Sequence, residues 1–353
     1  MKIKLPITVN ADVTTECWTY NYLTIINSYP HLQNWTMGHL ESLFCDENHD
    51  CFFGDRGEYN NPYSYYNEAV TTHAIDVAPM NVQNIVTTEL QKGNYLLIEC
   101  DAKTLGLPDG NVLHAALIFG VDDKDKCFYV PNRINGTWQV VKYPITLFQK
   151  AMEKRNRIVT ESPERWYWRW QFCVPAAVLR VQQNEPVIPP AQWLYLTLYK
   201  QMEQHDVNFT SSSSQGEVYR IFNNGYVSCC HSLFEALRDI LNPPVIEIVN
   251  PRRISLNIKK LYEYQRLALK RLKSFDRLYM LNISDGIYQD MIQSIQTLEV
   301  CCNLAVKYRC KNDKALIQRI LNLLVEDCQR QESCIENTVA QIARKLKPPE
   351  VYT

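Results

Sequence analysis

The first half of the chain alternates short apolar runs with turns, a pattern that is typical of β-strands. The clearest runs, rich in β-branched and aromatic residues, lie at 95–100, 112–121, 126–134 and 137–144. Asn135 and Gly136 separate the last two runs, and this dipeptide is typical of a two-residue hairpin turn. The pattern therefore predicts several strands in this half, with an antiparallel hairpin formed by the last two.

A helix is predicted near the start of the chain, because apolar residues recur there every three or four positions. It spans 17–27, and Tyr22 and Ile26 fall on its apolar face. Thr14 and Thr15 precede it, and their hydroxyls are of the kind that caps the free N–H groups of a helix. The helix is thus expected to begin at Cys17.

A polar segment with three prolines, at 181–192, divides the chain, because neither a helix nor a central strand runs through such a sequence. Beyond it, apolar residues keep helical spacing at 194–202, 231–241, 256–275, 285–309 and 313–345. We therefore predict an α+β fold with two domains. The first covers 1–184, and the second, at 185–353, is all-helical.

The charge and the apolar runs exclude several classes of protein. Lys and Arg number 37 against 38 Asp and Glu, so the net charge is −1. Such a balance offers no extended positive field for nucleic acid or an anionic membrane. The longest apolar run, at 112–121, is about half of the roughly twenty residues that span a membrane. The N-terminal residues lack the apolar run of a signal peptide, so we expect a cytoplasmic protein.

The chain has 13 cysteines, and their odd number argues against a complete disulfide framework. In a reducing compartment most of them are expected to be small buried hydrophobic residues. Cys17 is the candidate exception, since the free N–H groups and the dipole at a helix N-terminus favour a thiolate. The alternative is that Cys17 is a buried cysteine on the helix face.

His114 and Asn132 are the other two candidates for chemistry. His114 lies within an apolar strand, and a polar turn, DDKD, separates that strand from the one carrying Asn132. A loop of three or five residues would set the two side chains opposite each other, with Cβ atoms about 5 Å apart. An even-numbered loop would put Asn132 on the other face. A core histidine is the alternative for His114.

Metal and nucleotide sites are not expected. Cys45, His49 and Cys51 are residue types that bind metals, but structural zinc sites normally have four ligands and a C-x₂₋₄-C pair. The adjacent cysteines at 229–230 and 301–302 lack zinc spacing as well. The chain also has neither a Walker loop nor a dinucleotide fingerprint, so we predict no cofactor bound by this chain.

Four segments, taken together with the order Cys17, His114, Asn132, resemble a known family. They are CWTYNYLTIINSYP (17–30), CFFGDRG (51–57), HAALIFGVD (114–122) and YEYQRLALKRL (262–272). This layout resembles the butirosin-biosynthesis protein H family of acyltransferases and the papain-like amide synthases of closthioamide biosynthesis. Both are similar to the bacteriocin-leader cysteine peptidases. The resemblance implies a papain-like fold with Cys17, His114 and Asn132 as the catalytic residues.

The resemblance also implies a reaction. Members of the acyltransferase family take an acyl group from the phosphopantetheine thioester of an acyl or peptidyl carrier protein and pass it to a small amine during natural-product (antibiotic) biosynthesis. Cys17 would form the acyl-enzyme, His114 would move the proton, and Asn132 would orient the imidazole. The partners implied are thus the carrier protein and the amine.

Two positions distinguish this chain from the leader peptidases. Ala11 stands where those enzymes have an oxyanion-hole glutamine, and Trp18 stands where they have glycine after the cysteine. Candidates to replace the missing donor are Asn10, Thr14 or Thr15, and the alternative is that the Cys17 backbone N–H acts with another donor. Both departures favour acyl transfer over proteolysis. The alternatives are a cysteine peptidase of the same fold and a non-catalytic protein-binding scaffold.

Two further expectations concern the surroundings of the site. Five aromatic residues of the first half are candidates to exclude water from an acyl-enzyme: Trp18, Tyr20, Trp35, Phe52 and Phe53. Eight basic residues lie together at 251–273, namely Arg252, Arg253, Lys259, Lys260, Arg266, Lys270, Arg271 and Lys273. They are a candidate docking face for an acidic carrier protein, and the alternative is a solvated helix face.

Overall fold

The computed structural model describes residues 1–9, 12–46, 49–55, 58–59, 66–107, 113–134, 137–161, 175–202, 221–242 and 251–346. The strands are β1 (Lys2–Lys4), β2 (Ser42–Asp46), β3 (Cys51–Asp55), β4 (Glu58–Tyr59), β5 (Val70–Ala74), β6 (Tyr95–Asp101), β7 (Leu113–Ile118), β8 (Gly120–Asp122), β9 (Cys127–Ile134), β10 (Thr137–Pro144), β11 (Ala176–Val181) and β12 (Ile221–Asn224). The helices are α1 (Cys17–Ile26), α2 (Trp35–Gly38), α3 (Val82–Gln91), α4 (Ile145–Glu161), α5 (Ala191–Met202), α6 (Tyr226–Leu241), α7 (Pro251–Tyr279), α8 (Asp285–Lys311) and α9 (Lys314–Lys345). The fold is therefore α+β, with antiparallel sheets and a helical C-terminal region.

The chain divides into two compact units. Unit 1 consists of Met1–Trp35 and Asn61–Pro186, and unit 2 of Thr36–Asn60 and Val187–Thr353. The sequence places one boundary at 184/185, and the chain leaves unit 1 two residues later. The predicted and observed divisions differ in the segment Thr36–Asn60. It lies within the predicted first domain but belongs to unit 2.

Unit 1 contains two four-stranded antiparallel sheets, in the orders β1-β8-β9-β10 and β5-β11-β6-β7. Helices α3 and α4 pack on β6, and the core between them includes Val86, Ile98, Phe128 and Phe148. The predicted hairpin of β9 and β10 is confirmed, since Ile134 is paired with Thr137. Its turn residues, 135 and 136, lie outside the described part of the chain.

In the described ranges, unit 2 contains five helices and a sheet. The predicted helical C-terminal region is confirmed, although a short strand, β12, also lies within 185–353. The sheet has the order β12-β2-β3-β4, and three of its strands come from Thr36–Asn60. The predicted helices are present as α5 to α9, and α8 packs against both α7 and α9. Unit 2 is therefore a helical assembly that includes a strand segment supplied from the N-terminal part of the chain.

None of the helices in the described ranges is long and apolar enough to cross a membrane.

Candidate functional site

Cys17 is the first residue of α1, as predicted, and its side chain is half-buried. Nine of the twelve cysteines in the described ranges are buried, which confirms that most of them are packing residues. The N-cap position belongs to Glu16 and not to Thr14 or Thr15, so the predicted caps are wrong. The Glu16 carboxylate accepts a hydrogen bond from the Thr19 hydroxyl at 2.9 Å, within the first turn of the helix.

A buried hydrogen bond ties α1 to β7. The Asn21 side-chain amide donates to the carbonyl oxygen of Ala115 at 3.1 Å. Asn21 lies one turn after Cys17 on the same helix face, and Ala115 is the neighbour of His114. This bond therefore holds the Cys17 face of α1 against the part of β7 that carries His114. His114 is half-buried, in contrast to the other residues of β7, which are buried.

The β9–β10 hairpin reaches the same turn of α1 through Trp138. The indole N–H of Trp138 donates to the carbonyl oxygen of Thr14 at 3.4 Å, and its ring stacks on Tyr20 at 3.5 Å between centroids. Trp138 is paired with Arg133, the residue after Asn132. The hairpin end that carries Asn132 therefore lies beside the first turn of α1. Burial raises the pKa of Tyr20 to about 12, so its hydroxyl stays neutral here.

Asn132 is fully buried and hydrogen-bonded. Its amide group donates to the Tyr143 hydroxyl at 2.7 Å, and its carbonyl oxygen accepts the backbone N–H of Arg133 at 2.7 Å. Burial raises the pKa of Tyr143, and the hydrogen bond from Asn132 lowers it by less, so the pKa is raised overall. An amide oxygen has two lone pairs, so that of Asn132 has the capacity for one more donor.

Of the odd and even loop lengths considered for the connection before Asn132, an even-numbered one is observed, so His114 and Asn132 are not directly paired. The loop between β8 and β9 has four residues, 123–126, and Gly120 is paired with Tyr129. The run predicted as one strand is also interrupted at Phe119, so that β7 and β8 belong to different sheets. An even-numbered loop sets the register that removes the direct pair.

The chain passes from one sheet to the other at Phe119. Phe119 donates its N–H to the carbonyl oxygen of Tyr129 at 3.2 Å, and Gly120, the next residue, is the ladder partner of Tyr129. Strands β7 and β9 lie in contact but belong to different sheets. No ladder pairing therefore sets His114 against Asn132.

Aromatic side chains cover the core-facing side of α1. Tyr22 stacks on Tyr66 with centroids 4.0 Å apart, and Trp35 lies at 5.3 Å from the same ring. The set predicted to exclude water is divided, however. Trp18, Tyr20 and Trp35 belong to unit 1, whereas Phe52 and Phe53 lie in β3 of unit 2.

Sequence reasoning missed a group of three thiols in unit 2. The sulfur atoms of Cys45, Cys51 and Cys229 all lie within 4.8 Å of one another, and all three residues are buried. Cys229 is far from the other two in sequence, so no short spacing reveals the group. The signal present in the sequence, Cys45 and Cys51 flanking His49, gives only two of its members.

The basic stretch 251–273 lies on α7 and does not form one exposed set. Lys260 and Arg271 are buried, and Arg271 donates to the carbonyl oxygens of His39 and Leu40 at 2.7 and 2.8 Å. The other six basic residues are exposed or half-buried: Arg252, Arg253, Lys259, Arg266, Lys270 and Lys273.

Two of the three candidate side-chain donors for the oxyanion hole lie in the described part of the chain. Thr14 and Thr15 precede α1, and the carbonyl oxygen of Thr14 is held by Trp138. Asn10 and Ala11 lie outside the described residues, as do Arg56 and Gly57 of the CFFGDRG segment.

The chain was compared with models of protein families and with curated proteins. No family model and no curated protein matches it. Cys17, His114 and Asn132 all lie in unit 1, on elements that contact one another through Asn21 with Ala115 and Tyr20 with Trp138.

Proposed function

We propose that this chain is a cysteine-dependent acyltransferase that forms amides from carrier-bound thioesters. The observation that carries the proposal is the convergence of three elements in unit 1: the first turn of α1, the His114 stretch of β7 and the Asn132 end of the β9–β10 hairpin. A thiol at a helix N-terminus beside an imidazole is the arrangement that nucleophilic catalysis requires.

The first half of the reaction transfers the acyl group to the enzyme. His114 takes the proton of the Cys17 thiol, and the thiolate attacks the thioester carbonyl carbon. The new C–S bond to Cys17 forms as the C–S bond to the phosphopantetheine sulfur breaks. The leaving thiolate takes the proton from the His114 imidazolium, so the carrier departs as the free thiol.

The second half forms the amide. An amine attacks the acyl-enzyme carbonyl, and His114 accepts the proton that the nitrogen loses. The bond to Cys17 breaks, and the thiolate regains a proton from His114. A thioester is more reactive than a peptide. Attack on it therefore needs less stabilisation from an oxyanion hole than proteolysis does. The departures at Ala11 and Trp18 fit such a reaction.

Asn132 is the proposed positioning residue. It is fixed by Tyr143 and by the Arg133 N–H, and one lone pair of its amide oxygen is free to accept an N–H of His114. Such a bond would set the tautomer of the imidazole so that its other nitrogen is the base. The order of a helical cysteine, a strand histidine and an asparagine on a following antiparallel strand also supports a papain-like fold for unit 1.

The proposed reaction also implies a cellular compartment and two partners. The free thiol that catalysis requires fits a reducing, cytoplasmic setting. The half-exposed and exposed basic residues of α7 recur at helical spacing, at Arg252, Lys259, Arg266 and Lys273, and so share one face. This face is the proposed docking surface for an acidic carrier protein, with a small amine as the acceptor.

The test is amide formation from an acyl-carrier thioester and an amine by wild type, Cys17→Ala and Cys310→Ala. Cys310 is exposed on α8 and serves as the matched control. We expect Cys310→Ala to keep the wild-type rate and Cys17→Ala to lose it by more than about 1,000-fold, as for other catalytic nucleophiles. Equal product from Cys17→Ala would refute the nucleophile. Peptide cleavage without amide formation would indicate the peptidase, and neither activity the scaffold.

A further inference from the structure

The three-thiol group of unit 2 is built from a strand pair and a helix. Cys45 of β2 and Cys51 of β3 are cross-strand partners, and their sulfur atoms are 3.1 Å apart. Cys229 lies in the first turn of α6 and brings a third sulfur within 4.8 Å of both. All three residues have no exposed surface. Three buried sulfurs this close together form a donor set of the kind that thiolate metal sites use.

One buried ammonium group and several hydrogen bonds hold the chain on both sides of Cys51. The buried ammonium of Lys260 donates to the carbonyl oxygen of Cys51. His49 lies in the β2–β3 connection, and its Nδ1 is 2.8 Å from the Ser232 hydroxyl. Asn257 of α7 clamps the connection by donating to the His49 carbonyl at 2.6 Å and accepting the Cys51 N–H at 3.2 Å. Such outer contacts hold ligands in place at metal sites.

We propose that Cys45, Cys51 and Cys229 bind one thiophilic cation of the Zn²⁺ type. Zn–S bonds of about 2.3 Å in tetrahedral geometry put sulfurs about 3.8 Å apart, within the range that this group spans. Binding replaces the protons of the three thiols, which leave to solvent. The cation and three thiolates carry one net negative charge, opposite to the Lys260 ammonium beside Cys51. Three thiolates leave the fourth position of a tetrahedral ion to a solvent ligand.

A disulfide is the competing chemistry for the same residues. It would join Cys45 to Cys51, release two protons and two electrons to an oxidant, and leave Cys229 without a role. The metal proposal uses all three sulfurs and needs no oxidant. It is also independent of the reaction at Cys17, because every residue involved belongs to unit 2.

The test is the zinc content of the full chain after incubation with Zn²⁺ under reductant and desalting. We expect about one ion per chain in wild type. Cys229→Ala should lose it, whereas Cys230→Ala should keep it, and both residues are fully buried in the same turns of α6. Loss of zinc by both variants alike, or a wild-type chain without zinc, would overturn the site.

A second measurement uses only the wild-type chain, so it does not depend on the folding of a variant. Co²⁺ added in place of Zn²⁺ should give the intense near-ultraviolet charge-transfer bands of thiolate ligation, with an intensity that corresponds to three thiolates. Zn²⁺ should then abolish them. Absence of these bands, or a Cys45–Cys51 disulfide in peptides mapped without reductant, would contradict the proposal.

Discussion

Cys17 differs from the buried cysteines of the chain in both exposure and position. It is half-buried at the N-terminus of α1, where free N–H groups point along the helix axis and stabilise a thiolate. Most other cysteines in the described ranges are buried, where the charged form is disfavoured. Exposure thus separates Cys17 from the nine cysteines that are buried in that part of the chain, and its place at a helix N-terminus separates it from Cys302 and Cys310.

The role of His114 is testable without knowledge of the acyl group. We expect iodoacetamide to alkylate Cys17 at neutral pH, and His114→Ala to slow that alkylation at least about tenfold, since general-base assistance contributes two to four orders of magnitude. Peptide mass spectrometry gives the rate for each cysteine. Cys310 of the same chain is the internal control, because it is exposed and should react equally in both proteins. An unchanged Cys17 rate in His114→Ala would argue against the pair.

The identity of the candidate residues could be predicted from the sequence, but their geometry could not. A cysteine at a helix start and a histidine in an apolar strand are local patterns. The relation of His114 to Asn132 depends on a four-residue loop and on the break at Phe119, which puts β7 and β8 in different sheets. Neither has a sequence signature as clear as the Asn-Gly turn.

At the scale of elements, α1 is the part that positions the nucleophile, and one buried hydrogen bond fixes it to β7. We expect Asn21→Ala to leave the carbonyl of Ala115 unpaired and to lower the free energy of unfolding by about 1–3 kcal/mol. Thioester consumption should fall with it, because the Cys17 turn loses its anchor. Urea unfolding and single-turnover acylation measure the two effects.

Asn27→Ala is the control for this change, since Asn27 ends the same helix at the far side from Cys17. It should leave acylation at the wild-type rate. If Asn21→Ala acylated as fast as Asn27→Ala, then α1 would not owe its position to that bond.

A second buried polar group joins three helices of unit 2. Asp327 of α9 accepts hydrogen bonds from Tyr226 of α6 and Ser294 of α8, and pairs with Arg330 at 2.9 Å. Burial raises the pKa of Asp327 above its ordinary value. A carboxyl whose pKa is raised on folding stabilises the fold most below its unfolded pKa, and this contribution is lost as the pH rises through the folded pKa.

The comparison of wild type with Asp327→Asn isolates that effect. We expect the difference in unfolding free energy, wild type minus variant, to fall as the pH is raised from about 4 to 7. Urea denaturation across that range measures it. A difference that grew with pH would mean that the folded state favours the carboxylate instead.

Long helices were the most predictable elements, because their apolar spacing continues over many turns. The segment predicted at 285–309 is α8, Asp285–Lys311, almost to the residue. The short strands β2 and β3 were missed, since consecutive residues such as Leu43, Phe44 and Cys45 are all buried. A strand buried on both faces has no polar–apolar alternation to identify it.

For the whole molecule, each unit carries its own candidate site. Unit 1 holds the proposed acyl-transfer residues, and unit 2 holds the three-thiol group and the basic face of α7. The insertion of Thr36–Asn60 into unit 2 could not be read from the sequence, because strand pairing between β2 and β12 joins residues far apart in the chain.

The docking face is tested by charge reversal. We expect Arg252→Glu with Lys273→Glu to slow acyl transfer from a carrier protein several-fold and to spare a small N-acetylcysteamine thioester, since steering acts on the charged partner. Initial rates with the two donors measure this. Lys307→Glu with Lys311→Glu, exposed on α8, is the matched control and should leave both rates unchanged. An equal loss with both donors would contradict docking at this face.

The central claim is that Cys17 carries the acyl group, and intact-protein mass spectrometry tests it most directly. The full chain is mixed with an acyl-carrier thioester in the absence of amine, quenched in acid and weighed. The proposed function predicts one added acyl mass, located on the peptide that contains Cys17, which disappears when an amine is supplied. An unmodified chain, or an acyl group on another cysteine while product still forms, would contradict it.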